Sequence, residues 1–266
     1  MQSATRPQRV LAVSSQVAYG HVGLSAAVPV LQRLEISVSA LPTILLSNHP
    51  GWPHVAGRPV GCDDLREMIS AIERNGWLAA HDVVLVGYLP SGDHVALAAE
   101  LIDRLREVNA QVRVVVDPIL GDWPKGLYIA DAAAQAIRGA LVPRADVLTP
   151  NLFELGWLSA QPVQTAAEAT EAAARLGRRV LVTSAPAGAG RTGVLDVAVT
   201  ATGQRHSTLF DTALIDDAPN GVGDVFSALI AAGCETEDAV RRLHALICAS
   251  QGSAHLRIAE AAGAWS

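Results

Sequence analysis

The chain has 266 residues, half of them apolar, and a formal charge of −6 from 20 basic and 26 acidic residues. That length can bury one large core, so a single domain over residues 1–266 is expected. Neither charge sign forms a long block and no apolar run approaches the roughly 20 residues that span a bilayer, which excludes a nucleic-acid or membrane partner.

The polar start, Met1 to Arg9, lacks the apolar centre of a secretion signal, so the expected location is the cytoplasm. Cys62, Cys234 and Cys248 stand far apart with no C-x-x-C pair, against a zinc site or a disulfide framework. They are expected to be small, inert core residues.

Taken in order, the chain alternates short β-branched runs with stretches of helical period. A strand at Arg9 to Val13 precedes a helix at Gly23 to Leu34, and a helix at Leu65 to Asn75 precedes a strand at Val83 to Val86. A helix at Asp93 to Val108 leads to a strand at Val112 to Val116; a helix at Asp131 to Leu141 leads to a strand at Val147 to Leu148. A helix from Thr165 to Leu176 opens on a capping-box spacing, Thr165 and Glu168, and a strand at Arg179 to Val182 follows it. This alternation predicts βαβ units, a mostly parallel sheet and helices on both of its faces. Gly193 to Thr200 and Arg205 to Phe210 read as a hairpin turning near Thr202-Gly203, a small antiparallel extension. Two helices end the chain, one after Asn220-Gly221-Val222-Gly223-Asp224 and one from Thr236 to about Ser253.

In open parallel sheets ligands sit beyond the carboxyl ends of the strands, so polar residues there carry the functional reading. Gly221 and Gly223 open an apolar helix, where free amides and the helix dipole suit a phosphoryl group. Asp224 would repel that phosphate as a plain cap but makes sense as a base for an attacking hydroxyl; both readings stand at this point. Asp117 to Asp122 follow one strand and Thr149 to Glu154 another, offering hard oxygen ligands for Mg²⁺ and its waters against nucleotide phosphates. Three residues apart, Asn151 and Glu154 share a face of a first helical turn.

These same stretches, Asp117 to Asp122, Thr149 to Glu154 and Gly221 to Asp224, resemble the nucleotide-site motifs of the ribokinase-like superfamily. Ser15, Tyr19-Gly20-His21, Gly23, Ser25-Ala26-Ala27, Ser47-Asn48-His49 and Gly87-Tyr88-Leu89 resemble its pyridoxal kinase branch, in order along nearly the whole chain. The resemblance implies a three-layer α/β/α fold with a doubly wound central sheet. It implies transfer of the ATP γ-phosphoryl group to the 5′-hydroxyl of pyridoxal, pyridoxine or pyridoxamine, with Mg²⁺, room for a monovalent cation, and pairing as a homodimer. Under it Asp224 is the base, and the amides of Gly221, Val222 and Gly223 hold phosphate charge. Asp117, Asp122 and Glu154 serve cations; Asp122, Thr149, Asn151, Glu154, Thr183 and Ser184 serve the nucleotide. Ser15, His49, Pro50, Tyr88 and Asp224 line the acceptor pocket.

Departures concentrate in that pocket. Gln16 replaces the family's usual histidine, Leu24 an asparagine, Trp52 a tyrosine, and Pro50 a threonine whose hydroxyl and N–H proline lacks. Losing such a partner costs roughly 1 kcal/mol, which weakens vitamin binding or shifts the acceptor. A hydroxymethylpyrimidine kinase and a non-catalytic B6-binding relative are the alternatives. Gly188-Ala189-Gly190-Arg191-Thr192-Gly193 has dinucleotide-loop spacing, but a strand follows where a helix is required; a turn with an exposed Arg191 is expected. His21, His49 and His54 match no metal spacing, and the five tryptophans are expected in the core or at the pocket edge.

Overall fold

The computed structural model describes residues 9–200 and 202–266; the polar start before Arg9 and Ala201 lie outside the described residues. The first half of the chain forms β1 (Arg9–Val17), α1 (Leu24–Arg33), β2 (Ser37–Leu46), β3 (Gly57–Pro59), α2 (Cys62–Arg74), β4 (Val83–Val86) and α3 (Gly92–Val108). Next come β5 (Arg113–Val116), a hairpin of β6 (Gly121–Asp122) and β7 (Gly126–Leu127), α4 (Asp131–Ala136) and β8 (Val147–Leu148). The remainder is α5 (Leu152–Ser159), α6 (Ala166–Arg175), β9 (Arg179–Pro186), β10 (Arg191–Val199), β11 (Arg205–Ala213), α7 (Val222–Ala231), α8 (Thr236–Ser250) and α9 (Ala262–Trp265).

Nine strands form one sheet in the order β11-β10-β9-β8-β5-β4-β1-β2-β3. Neighbours from β9 across to β2 pair in parallel, while β10, β11 and β3 are added antiparallel at the two edges. Strand side chains alternate between faces, and both faces are apolar because helices cover both. Val10, Val83, Leu85, Val115 and Leu181 pack with α1, α7 and α8; Leu11, Val84, Val86, Val114 and Val116 pack with α2 to α6. This is the three-layer arrangement the resemblance implied.

The order reverses at β1, which has β4 on one side and β2 on the other. A crevice opens at such a point beyond the strand ends. The β1–β2 pairing also slips between Ser14 and Gln16, and this irregularity sets Ser15 at the crevice.

The predicted helices all form, with ends shifted by up to three residues except at α4, which stops at Ala136, five residues short of Leu141, and continues as a π-helical turn over Ile137–Leu141; α8 stops at Ser250, ahead of Gly252 with its positive φ. The sequence reading omitted β2, β3 and the β6–β7 hairpin. β2 carries Pro42 and an irregular burial pattern because residues 37–43 lie beyond the short pairing with β3, where a missing N–H is tolerated. The cysteines correct the expectation of burial: Cys62 and Cys234 are half-buried and Cys248 is exposed. Trp265 is buried with its indole N–H on the Ile258 carbonyl, whereas Trp77 and Trp123 stand in solvent rather than in the core.

Candidate active site

Every residue assigned a site role from sequence lies on the wall of one cavity of about 1220 Å³ at the carboxyl end of the sheet. Strand order gives the cavity two flanks. The irregular end of β1 supplies Ser15, the segments after β2 and β4 supply His49, Pro50 and Tyr88 on the same side, and β9 supplies Thr183 and Ser184 on the other. The ends of β5 and β8 and the start of α7 lie between.

The middle is built around α7. Gly221 occupies the cap position with φ 101° and contributes no side chain. A Cβ there would collide with the His21 carbonyl oxygen, so only glycine allows this approach. The first intrahelical donor is the Val225 amide, to the Gly221 carbonyl, which leaves the preceding amides without a helical bond. Asp224 sits in the first turn rather than at the cap, which removes the capping alternative. Its carboxyl accepts the Gly23 backbone N–H, yet burial outweighs that bond and pushes its pKa up to about 6. Gly23 is itself required, because a Cβ would strike the Ser15 carbonyl and hydroxyl oxygens.

Asp117, at the end of β5, is buried and held well above the usual carboxylate range, first by burial and then by the nearby charges of Glu154 and Asp224. Ser227 and the Ile119 amide hydrogen-bond it. Glu154 is also buried, with a pKa pushed up to about 7, mainly by burial. One of its oxygens accepts the amides of Leu120 (2.7 Å) and Gly121 (3.4 Å), the other that of Asn151 (2.9 Å). Asn151 returns the bond by accepting the Glu154 amide through Oδ1, a complete capping box on α5. Its Nδ2 donates to the Gly121 carbonyl at 2.8 Å. The box therefore does two jobs: it caps a helix and clamps the base of the β6–β7 hairpin.

Beside it, Thr149 is buried and its hydroxyl has no partner among the described residues. Such an orphaned group costs free energy unless something binds it, and here it borders the cavity. Thr183 and Ser184 lie inside β9, not after it, and Ser184 holds a left-handed φ of 56°, a conformation a non-glycine residue adopts at a cost. Arg191 is not the free turn arginine expected: it belongs to β10 and pairs with Asp211 on β11.

On the other flank the Tyr88 amide donates to the Ser14 hydroxyl at 3.0 Å, and the Tyr88 carbonyl accepts Thr43 Oγ1 at 2.7 Å. His49 Nδ1 accepts the Gly51 amide at 3.1 Å, so in the neutral ring Nε2 carries the proton. Burial, then the charge of Lys125, holds His49 below its ordinary pKa. Pro50 is exposed in the turn that follows. Tyr19 meets His255 edge-on at 4.8 Å and Trp52 lies 5.9 Å from the same ring. The sequence reading left Lys125 without a role, although it follows Asp122 by three residues and lines the cavity.

Residues 59–251 match the model of the phosphomethylpyrimidine kinase family. A pyridoxine/pyridoxal/pyridoxamine kinase of Bordetella avium is 39% identical over 239 residues, covering 87% of this chain and 80% of the relative. A pyridoxal kinase of Deinococcus radiodurans is 36% identical over 236 residues, covering 85% and 78%. Among solved structures, pyridoxal kinase from Leishmania donovani in complex with ADP and pyridoxamine superposes with a TM-score of 0.86 at 28% identity, over 94% of this chain and 93% of that one. The chain belongs to the pyridoxal kinase family of the ribokinase-like superfamily.

Proposed function

We propose that this chain, as one kinase domain, transfers the γ-phosphoryl group of ATP to the 5′-hydroxyl of pyridoxal, pyridoxine or pyridoxamine. The observation that carries the reading is Asp224: an enclosed carboxylate of raised pKa beside unbonded helix amides, in one cavity with Ser15 and Tyr88. The acceptor lies on the β1–β4 flank, where Ser15 and Tyr88 hold its ring and His49 offers Nε2–H. The nucleotide lies toward Thr183 and Ser184. Asp224 takes the proton of the hydroxyl as its oxygen meets the terminal phosphorus, and the amides of Gly221, Val222 and Gly223 accept the charge that develops. Positioning and fixed dipoles supply the rate enhancement, as is general for phosphoryl transfer.

A divalent cation fits this site as one shared with the substrate. No three acidic, histidine or cysteine side chains converge into a metal cage among the described residues. Magnesium keeps waters and phosphate oxygens as ligands, so it needs only a few protein oxygens. Asp117 and Asp122 would hold the ion, and Glu154, whose oxygens already accept backbone amides, would add negative charge beside it. The unpartnered Thr149 hydroxyl completes the polar lining on that side. A homodimer and a cytoplasmic location belong to the same reading; no helix among the described residues is long and apolar enough to cross a membrane.

The test is a panel of acceptors with ATP and Mg²⁺. Turnover of B6 vitamers supports the reading, whereas turnover of hydroxymethylpyrimidine alone would reassign the acceptor while keeping the kinase.

A further inference from the structure

Lys125 is the only lysine in the sequence. It sits at the turn of the β6–β7 hairpin and lines the cavity beside Asp122 and Tyr128. Every ion pair among the described residues uses arginine, and none engages Lys125. Asp117, Asp122, Glu154 and Asp224 all line the same cavity, whose other cationic side chain, Arg191, is already bonded to Asp211. A nucleoside triphosphate entering a space so rich in carboxylates brings several further negative charges. An unpaired ammonium on a hairpin held over that space answers this imbalance. The hairpin itself is fixed at its base by Glu154 and Asn151, through the Leu120 and Gly121 amides and the Gly121 carbonyl.

We propose that the Lys125 ammonium binds the terminal phosphates of the nucleotide and neutralises charge on the phosphoryl group in transit, with Glu154 and Asn151 acting as positioning residues for the hairpin that carries it. This deepens the kinase reading and rests on it. The chain bonds no phosphate covalently here: the ammonium donates hydrogen bonds and keeps its protons.

The experiment compares Lys125→Ala and Lys125→Arg in the full chain by titration calorimetry with ATP, ADP and adenosine, and by turnover with pyridoxal and pyridoxine. Lys125→Ala should weaken ATP roughly tenfold or more and leave adenosine unchanged, since only the phosphates meet the charge. Its kcat should fall roughly 10²-fold with both acceptors, the scale of removing one group that stabilises transition-state charge. Lys125→Arg should recover most of the ATP affinity. A sole lysine also permits a direct check: ATP, but not adenosine, should shield Lys125 from acetylation, with the chain's α-amine as internal reference. Unchanged ATP affinity in Lys125→Ala, or equal weakening of adenosine, overturns the inference. So does a turnover loss with pyridoxal but not pyridoxine, which would mark an amine that reacts with the aldehyde. The binding measurements need no acceptor, so they decide the role of Lys125 even if no B6 vitamer is phosphorylated. If ATP does not bind the unaltered chain, the kinase reading itself falls.

Discussion

The middle of the cavity and its acceptor flank are made differently. In the middle, Asp117 and Glu154 are buried and accept backbone amides, Thr149 is buried beside them, and Gly221 fits where no other residue can. On the flank, Pro50 is exposed in the segment between β2 and the edge strand β3, and the exposed Trp52 and Tyr19 gather around His255. Chemistry placed on a rigid, over-determined frame tolerates little change, whereas a loop wall can vary without loss of fold. The difference teaches that, under the proposed reading, the phosphoryl-transfer residues sit on the parallel core while the residues proposed to choose the acceptor sit on a more exposed loop wall.

Substitutions should respect that division. The largest effect belongs to Asp224→Asn, which keeps shape but removes the base: kcat should fall roughly 10²- to 10⁴-fold in a coupled ADP-release assay. The same change should raise stability at neutral pH. With its pKa lifted from 3.8 to about 6, folded Asp224 holds a proton more tightly than the unfolded chain does. Its contribution is therefore fully present below the unfolded value and is lost as pH rises through about 6. Thermal melts should show the variant above the parent at about pH 8, with the gap closing near pH 4. A variant that lost both activity and stability would place Asp224 in the frame rather than in the chemistry.

Gly221→Ala comes next. The added methyl meets the His21 carbonyl at a positive φ, so roughly 1–3 kcal/mol of stability should be lost along with the amide geometry, read as a lower melting temperature and a lower kcat. The pH dependence is gentler. Because the base must be ionised, kcat/KM should rise as pH climbs through about 6 and level above it. A flat profile from acid to neutral pH would separate Asp224 from the proton transfer. The smallest change tests the flank: Pro50→Thr restores a hydroxyl and an N–H, and roughly 1 kcal/mol of hydrogen bonding should lower the KM for pyridoxal about fivefold with kcat unaltered. An effect on kcat instead would mean that the loop helps place the hydroxyl, and would blur the two regions.

Most of the parallel frame was legible because its strands are continuous apolar runs buried on both faces, as in Val83–Val86, and its helices carry caps that read directly, as at Thr165. That the candidate site residues would meet in one cavity was legible for a related reason: they lie at or just beyond the carboxyl ends of strands or at the start of α7, so topology brings them together. What escaped had no such signal. β2 is a half-exposed strand interrupted by Pro42, and β6–β7 contributes two residues a side, too short for any alternation to show. Missing the hairpin meant missing Lys125, a lone charge in a turn that reads as ordinary solvated surface. The double role of Glu154 was hidden likewise, since the capping spacing is visible in sequence but its second partner, the Leu120 amide, is 34 residues away.

The reversal of strand order at β1 has a consequence for synthesis. Ser15, His49, Pro50 and Tyr88 are translated within the first ninety residues, yet Asp224 and the amides that line the same cavity belong to a helix that begins only at Val222. As the chain leaves the ribosome, nearly the whole sheet is available before α7 arrives to slot against α1 and the sheet. A product truncated before Val222 thus carries the β1–β4 wall of the cavity but lacks Asp224 and the amides at the start of α7.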